Sequence, residues 1–130
     1  MAGGANQYKQ MSIKTASRGQ ILIMLYEAAI KHCRKAIEAV DRKDGPGKCT
    51  HIGKVHDIVL ELQSSLDFKV GGTIAEDLEG LYNFMGTQLI KANIENSSET
   101  LKQIQKLLET LLTGWRGAVE QVQKGGTASK

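Results

Sequence analysis

Histidine and cysteine are the side chains of this sequence best suited to metal chemistry, and three of them lie close together at the start of a predicted helix: Cys49, His51 and His56. Thiolate and imidazole are the usual ligands of zinc, but a closed structural site takes four of them at characteristic spacings. Here a fourth ligand is missing, and the spacing of the three matches no closed zinc site. Such histidines are more often exposed or bonded to loop carbonyls, so we expect no metal.

Other motifs that would support catalysis are incomplete. Gly71-Gly72-Thr73 precedes a predicted helix, as a phosphate-binding loop does, but it follows a helix instead of a strand and lacks the P-loop lysine. A di-iron bundle needs Glu-x-x-His pairs, and the sequence contains none. His32 belongs to no nucleophile, metalloprotease or deaminase motif. We therefore expect no catalytic residue and no cofactor, and a protein that is not an enzyme.

The elements that would position these residues are four helices, and nothing strand-like competes with their hydrophobic periodicity. The first helix is predicted from about Ser17 to Asp41, and Gly71-Gly72 ends the second helix before the third begins. Each helix is opened by a capping signal, which fixes its direction of entry. These signals are Ser17-Arg18-Gly19-Gln20, Asp44 with Pro46 in the first turn, Thr73-Ile74-Ala75-Glu76, and Asn96-Ser97-Ser98-Glu99.

Each predicted helix has one apolar stripe, which we expect to face a common core. The stripes are Leu22, Leu25, Tyr26, Ala29, Cys33, Ala36, Ile37 and Val40; Ile52, Val55, Val59, Leu62 and Leu66; Leu78, Leu81, Tyr82, Met85, Leu89 and Ala92; and Leu101, Ile104, Leu108, Leu111, Trp115, Ala118 and Val122. Because the links are short, the sequence predicts an all-α fold, an antiparallel up-down-up-down four-helix bundle with a short N-terminal docking segment. The expected organisation is a leader over 1–16, the bundle over 17–124 and a flexible tail over 125–130.

Apolar residues outside these stripes predict a surface that binds a partner. On the first helix, the run from Ile21 to Tyr26 exceeds what one stripe can bury. Tyr26 lies at the edge of its stripe, where its hydroxyl is expected to reach solvent or a partner backbone. The expected partner-binding residues are Ile21, Ile23, Met24, Tyr26, Ile90, Ile94, Leu107, Leu112 and Val119. The leader residues Tyr8, Met11 and Ile13 are expected to dock on the bundle as an N-terminal cap.

Composition argues against several other kinds of partner. The net charge of +3 is mild and the basic residues are dispersed, so we do not expect binding to nucleic acid. No apolar run approaches the roughly 18 residues that a membrane-spanning helix needs, so we expect no membrane insertion. The N-terminus lacks the pattern of a signal peptide. We therefore expect a cytoplasmic protein in which Cys33 and Cys49 remain reduced.

The sequence from Tyr8 to Trp115 resembles the flagellar secretion chaperone FliS family. The matching residues, in order, are Tyr8, Thr15-Ala16-Ser17, Met24-Leu25-Tyr26-Glu27-Ala28-Ala29-Ile30, Ile58-Val59-Leu60-Glu61-Leu62, Ser65-Leu66-Asp67, Gly71-Gly72-Thr73-Ile74-Ala75, Leu78, Leu81-Tyr82-Asn83-Phe84-Met85, Leu89, Ala92-Asn93, Leu107-Leu108 and Trp115. The sequence departs from the family pattern at Arg18, where Pro is common, and at His56, where Gln is usual. Phe84 replaces a second Tyr, so one hydroxyl available for a cargo hydrogen bond is lost.

The resemblance implies an antiparallel helical bundle that holds newly made flagellin in the cytoplasm. In that family the C-terminal segment of flagellin wraps around the bundle and becomes helical. Binding prevents premature filament assembly and presents the cargo to the export gate of the flagellar type III apparatus. The resemblance also implies that the N-terminal segment can cover part of the cargo groove, and it leaves a co-chaperone open. The alternative is a self-associating structural bundle, in which the surplus apolar residues form a homodimer interface and there is no client.

Overall fold

Four helices joined by short connections account for nearly all of the backbone from residue 14 to residue 125. The computed structural model describes this range, with the side chains of 18–122, and its helices are α1 (Lys14–Asp41), α2 (Gly45–Ser64), α3 (Phe68–Glu95) and α4 (Ser98–Gly125). No strand occurs within the range, so the predicted all-α fold is confirmed. None of these helices has both the length and the apolar character needed to cross a membrane.

The helices pack as a closed square in which each one contacts its neighbours along the chain, and α1 against α4 closes the ring. Lys48, near the start of α2, donates to the carbonyl of Asn93 near the end of α3 at 2.9 Å. Gln63, at the end of α2, donates to Asn83 earlier in α3 at 2.8 Å. The two helices therefore run antiparallel, as short connections require. The predicted four-helix bundle is confirmed.

The predicted apolar stripes meet in one core. Its buried members are Tyr26, Ala29, Ile30, Cys33, Ala36, Ile52, Val55, Val59, Leu62, Leu78, Tyr82, Met85, Leu89, Ala92, Leu101, Ile104, Leu108 and Leu112. The prediction fails at the end of α4, where Ala118 is exposed and Val122 is 67% exposed. The reason is that the α4 stripe continues past the last core layer, which ends at Leu112 and the half-buried Trp115.

The start of α3 agrees in part with the prediction, which placed a helix break at Gly71-Gly72 and a new start at Thr73: the break is present at Gly72, but a short helical segment precedes it. The carboxylate of Asp67 accepts from the backbone N–H groups of Lys69 (3.0 Å) and Val70 (3.1 Å), so α3 begins one turn earlier. Gly72 then departs from helical geometry, with φ 51° and ψ −123°, a conformation that favours glycine. Gly72 therefore interrupts the helical backbone where the prediction placed the break, between a short first segment over 68–71 and the main part of α3.

At one end of the bundle, polar contacts join its two connections beside a cavity of 490 Å³, which is lined by Ala39, Val40, Lys43, Asp44, Gly45, Lys48 and Asn96. The ammonium of Lys48 donates to the side chain of Asn96 at 2.7 Å, and Ser98 donates to the carboxylate of Asp41 at 2.9 Å. Asp44 caps α2 by accepting from a backbone N–H at 3.0 Å, as predicted. We call this the sealed end. It ties the α1–α2 connection to the α3–α4 connection.

Several predictions fall outside the residues that the structure describes. These are the docking of the leader residues Tyr8, Met11 and Ile13, and the flexibility of the tail beyond residue 125. The division into leader, bundle and tail therefore stays a prediction.

Candidate docking surface at the open end of the bundle

At the end opposite the sealed end, a groove of 690 Å³ lies between the first turns of α1 and the last turn of α2. α2 stops at Ser64, and the chain crosses the end of the bundle through Leu66 and Asp67 before α3 begins. This crossing forms the far wall of the groove. The lining residues are Arg18, Gly19, Ile21, Leu22, Leu25, Glu61, Ser65, Leu66 and Asp67.

A second cavity, the hollow, has a volume of 240 Å³ and continues the groove toward α3 and α4. The groove and the hollow share the walls Leu22, Ser65, Leu66 and Asp67. The rest of the hollow is almost entirely apolar or aromatic. It is lined by Leu62, Val70, Gly71, Ile74, Ala75, Leu78, Tyr82 and Trp115. We refer to the groove and the hollow together as the docking surface.

Large apolar side chains stand exposed around this concave surface. Val70 is 86% exposed and Ile74 is 67% exposed, on the two sides of the Gly72 kink. Ile21, on α1, is 50% exposed. Exposed apolar groups beside a cavity, with charged residues such as Arg18 at the rim, are typical of a surface that binds another polypeptide.

A hydrogen-bonded pair of tyrosines lies against the hollow. The hydroxyl oxygens of Tyr26 and Tyr82 are 2.5 Å apart across the core. Burial raises the pKa of both tyrosines, so both phenols stay neutral. The prediction that the Tyr26 hydroxyl reaches solvent or a partner is wrong, because Tyr26 is 0% exposed and its hydroxyl is bonded within the core.

The predicted partner-binding residues do not form one surface. Ile21 lines the groove. Leu112 is only 5% exposed, so its expected place on the surface is wrong; it belongs to the core, and Leu111 packs against the same core. Ile23 and Leu107 are half-buried against the core, because the core is wider than the predicted stripes.

The other predicted contacts lie elsewhere on the bundle. Val119 packs so closely on α1 that a Cβ at Gly19 would lie 2.6 Å from its Cγ2 atom. Met24, Ile90 and Ile94 are exposed, as expected, but none of them lines the groove or the hollow. Of the residues expected to contact a partner, the docking surface includes only Ile21.

The sequence interpretation missed the part of the docking surface that comes from the kinked start of α3. Val70 and Ile74 are apolar residues four positions apart on the two sides of a double glycine. In hindsight this pattern was the available signal, since a glycine break inside a helix exposes the apolar residues that flank it. Leu66 was assigned to the core stripe, and the structure places it in both cavities.

The histidines and the exposed cysteine point in different directions. His51 hydrogen bonds to His32 of α1, whereas the Cys49 thiol faces Asn93 of α3 at 3.7 Å. His56 also faces α3, beside Gly86. Among residues 18–122 no group of three side chains could hold a metal ion. Burial raises the pKa of the other cysteine, Cys33, to about 12, which leaves it an inert thiol.

The sequence of most of this chain matches a protein family. The family model described as "Flagellar protein FliS" matches residues 1–122. The flagellar secretion chaperone FliS of Vibrio cholerae is 31% identical over 119 residues, covering 88% of each chain. The flagellar secretion chaperone FliSB of Pseudomonas aeruginosa is 31% identical over 115 residues, covering 85% of this chain and 91% of its own. The FliS of Bacillus subtilis is 26% identical over 117 residues, covering 90% and 86%.

Proposed function

Because this chain belongs to the flagellar protein FliS family, we propose that its client is flagellin and that the docking surface holds the C-terminal segment of flagellin. A role as a flagellar export chaperone, and not as an enzyme, follows from membership of the family. The proposal goes further in naming the client and the surface. Binding would keep flagellin from polymerising before export and would support its delivery to the flagellar type III export apparatus.

The observation that carries this proposal is the continuity of the groove with the hollow. Together they offer an elongated apolar surface with Ile21, Val70 and Ile74 exposed along it. An amphipathic helix binds such a surface by burying one face, with anchors spaced three or four residues apart. A segment that is disordered before binding loses conformational entropy when it folds, so it needs an extended surface of this kind to bind usefully.

We also propose that the leader of residues 1–16 competes with the client for this surface. α1 begins at Lys14, at the same end of the bundle as the groove. An extended chain spans at most about 3.5 Å per residue, so Tyr8, Met11 and Ile13 are within about 20 Å of that helix start. Their apolar side chains suit the same cavities. Under this proposal the leader covers the docking surface until the client displaces it.

Action before export implies that the protein works in the cytoplasm, and this location is part of the proposal. We assign client binding to the bundle, residues 17–124, and no binding role to the segment 125–130. The export gate and a co-chaperone are further proposed partners. Neither has a surface assigned to it.

The decisive experiment compares two isoleucines of α3. Ile74→Asp places a carboxylate at the rim of the hollow, and Ile94→Asp places the same carboxylate at a comparably exposed position outside both cavities; the two isoleucines are 67% and 76% exposed. Calorimetric titration with the C-terminal peptide of the flagellin made by the same cell should show affinity about tenfold or more weaker for Ile74→Asp alone, because a charge must then be desolvated. Circular dichroism should show both variants folded.

Two outcomes would contradict the proposal. If the wild-type chain does not bind the peptide, flagellin is not the client. If Ile94→Asp weakens binding as much as Ile74→Asp does, the docking surface is not where the segment binds. A tight dimer in sedimentation equilibrium that ignores flagellin would favour the self-associating bundle instead.

A further inference from the structure

Five basic side chains meet along the seam between α1 and α2. The imidazoles of His32 and His51 are hydrogen bonded to each other across this seam. Lys35 follows His32 by three residues and Lys54 follows His51 by three, so each lysine neighbours a histidine on the surface of its helix. Lys31 directly precedes His32. We call these five residues the basic patch.

The positive charge of the basic patch is not neutralised by ion pairs within the described part of the chain. Its three lysines are exposed, and among residues 18–122 no ion pair includes a member of the patch. Glu38 and Asp57 each lie one turn from a lysine of the patch without pairing with it, and Glu27 instead pairs with an arginine of α4 at 2.6 Å. Burial lowers the pKa of His32, and the charges that lower it further all belong to the patch. The patch therefore presents a positive potential to solvent.

The basic patch lies on the same seam as the groove. Leu25 and Glu61 line the groove, and they stand seven residues from His32 and Lys54 respectively. Seven residues are two helical turns, so the patch begins about 10 Å further along nearly the same side of each helix. One path on the surface therefore leads from the groove, whose walls include Ile21 and Leu25, to the cationic residues of the patch.

The segments of this sequence outside the described range do not supply the missing negative charge. Neither the leader, residues 1–16, nor the segment 125–130 contains an aspartate or a glutamate, and the leader adds Lys9 and Lys14. Because like charges repel, the leader is disfavoured at the patch even though its apolar side chains suit the groove. An anionic occupant of the patch must come from another chain.

We propose that the basic patch binds an acidic stretch of the client, which continues along the seam between α1 and α2 from the part held in the docking surface. This inference rests on the proposed function, because it takes the client as the occupant of the groove. The client then binds in one direction, with apolar anchors at the open end of the bundle and acidic residues further along α1 and α2. Charge pairs of this kind set the orientation and the rate of association more than the affinity.

Carbodiimide cross-linking tests the contact directly. The reagent joins a lysine ammonium to a carboxylate only where the two groups touch. The complex of the wild-type chain with monomeric flagellin made by the same cell should therefore give amides between lysines of the patch and Asp or Glu residues of flagellin. Mass spectrometry identifies both residues of each amide. Amides to flagellin formed only by lysines elsewhere, such as the exposed Lys91 and Lys102, would overturn the inference.

A matched pair of triple variants tests the contribution of charge. The patch variant combines Lys31→Gln, Lys35→Gln and Lys54→Gln, and the control removes the same charge from exposed positions of α3 and α4 through Lys91→Gln, Lys102→Gln and Lys106→Gln. At about 50 mM salt the patch variant should bind monomeric flagellin roughly three- to tenfold more weakly than wild type, and at about 500 mM the difference should fall within about twofold. The control should stay within about twofold of wild type at both salt concentrations.

The outcomes of the titration distinguish this inference from the assignment of the client. If wild type binds flagellin and the two triple variants bind equally well, the inference is overturned and the client assignment is kept. A loss in the patch variant that does not change with salt would show that the lysines act without their charge, and would also overturn it. If wild type does not bind flagellin at either salt concentration, the client assignment and the inference both fail.

Discussion

The imidazole of His32 on α1 and that of His51 on α2 are joined by a hydrogen bond of 3.0 Å between their Nδ1 atoms, and the rings are stacked with centroids 5.2 Å apart. Such a bond requires one of the two Nδ1 atoms to be unprotonated. The surrounding groups oppose protonation. Burial lowers the pKa of His32, and the charges of His51, Lys31, Lys54 and Lys35 lower it further.

Stability should therefore fall in mild acid through this pair. Because the pKa of His32 is lowered on folding, the unfolded chain takes up the proton first as the pH falls below about 6.5, the ordinary value for histidine. The stability contributed by neutral His32 is complete above that pH and is lost below it. Urea unfolding at pH 7.5 and pH 5.5 should show that His32→Gln loses less unfolding free energy between these two pH values than wild type does. His56→Gln, which leaves the pair intact, should lose as much unfolding free energy between pH 7.5 and pH 5.5 as wild type does. An equally large loss in His32→Gln would refute the prediction.

The contact between α1 and α4 at Gly19 predicts an unusual response to alanine. A Cβ at Gly19 would lie 2.6 Å from Cγ2 of Val119, and the β-branched valine has little freedom to move away. Gly19→Ala should lower the free energy of unfolding, because overpacking costs about 1–3 kcal/mol against a gain of about 1 kcal/mol in helix propensity. Gly80→Ala, also in a helix but in open space, should be stabilising.

A double-mutant cycle checks the cause at this position. In a Val119→Ala background, Gly19→Ala should become neutral or stabilising, since the clash is then removed. If Gly19→Ala stays equally destabilising in that background, the close approach of α1 and α4 is not the reason. Urea unfolding of wild type, Gly19→Ala, Val119→Ala and the double variant measures the free energy of unfolding of each protein in the cycle.

Two adjacent residues of α1 should differ in how much stability they lose when a negative charge is introduced. Met24 is 64% exposed, so Met24→Asp should leave stability nearly unchanged. Ile23 is half-buried against the core, so Ile23→Asp should lower the free energy of unfolding by about 2 kcal/mol or more, through lost apolar burial and desolvation of the carboxylate. Thermal unfolding, monitored by circular dichroism, should give a lower midpoint for Ile23→Asp than for Met24→Asp. Equal midpoints would show that Ile23 makes no core contact.

The sequence predicted the fold well because helix formation and burial here follow local rules. A stripe such as Ile52, Val55, Val59 and Leu62 identifies its own buried face without knowledge of its neighbours, and all four residues are buried. The class of protein was also predictable, since the matching residues span the chain in order. These features depend on spacing along the chain, which the sequence contains directly.

The docking surface was harder to predict, because it depends on how far each helix extends past its neighbours. Helical periodicity treats Ile21, Ile23 and Met24 alike, and the structure places the first in the groove, the second against the core and the third outside both. Val70 and Ile74 are exposed on the two sides of Gly72, whose backbone angles do not follow from any spacing of apolar residues. The bond between Tyr26 and Tyr82 joins diagonal helices, and no local pattern contains that contact.

Polar contacts between helices occur at both ends of the bundle, and so do cavities. Lys48 with Asn96, and Ser98 with Asp41, join the two connections at one end beside a cavity of 490 Å³, and the groove and the hollow lie at the other end. The groove half of the bundle is also tied across neighbouring helices, by the ion pair of Arg116 on α4 with Glu27 on α1 at 2.6 Å and by the hydrogen bond from Gln63 on α2 to Asn83 on α3 at 2.8 Å. The α1–α4 and α2–α3 sides of the bundle are therefore held by polar contacts in both halves, and the cavities lie between helices whose spacing these contacts help to fix.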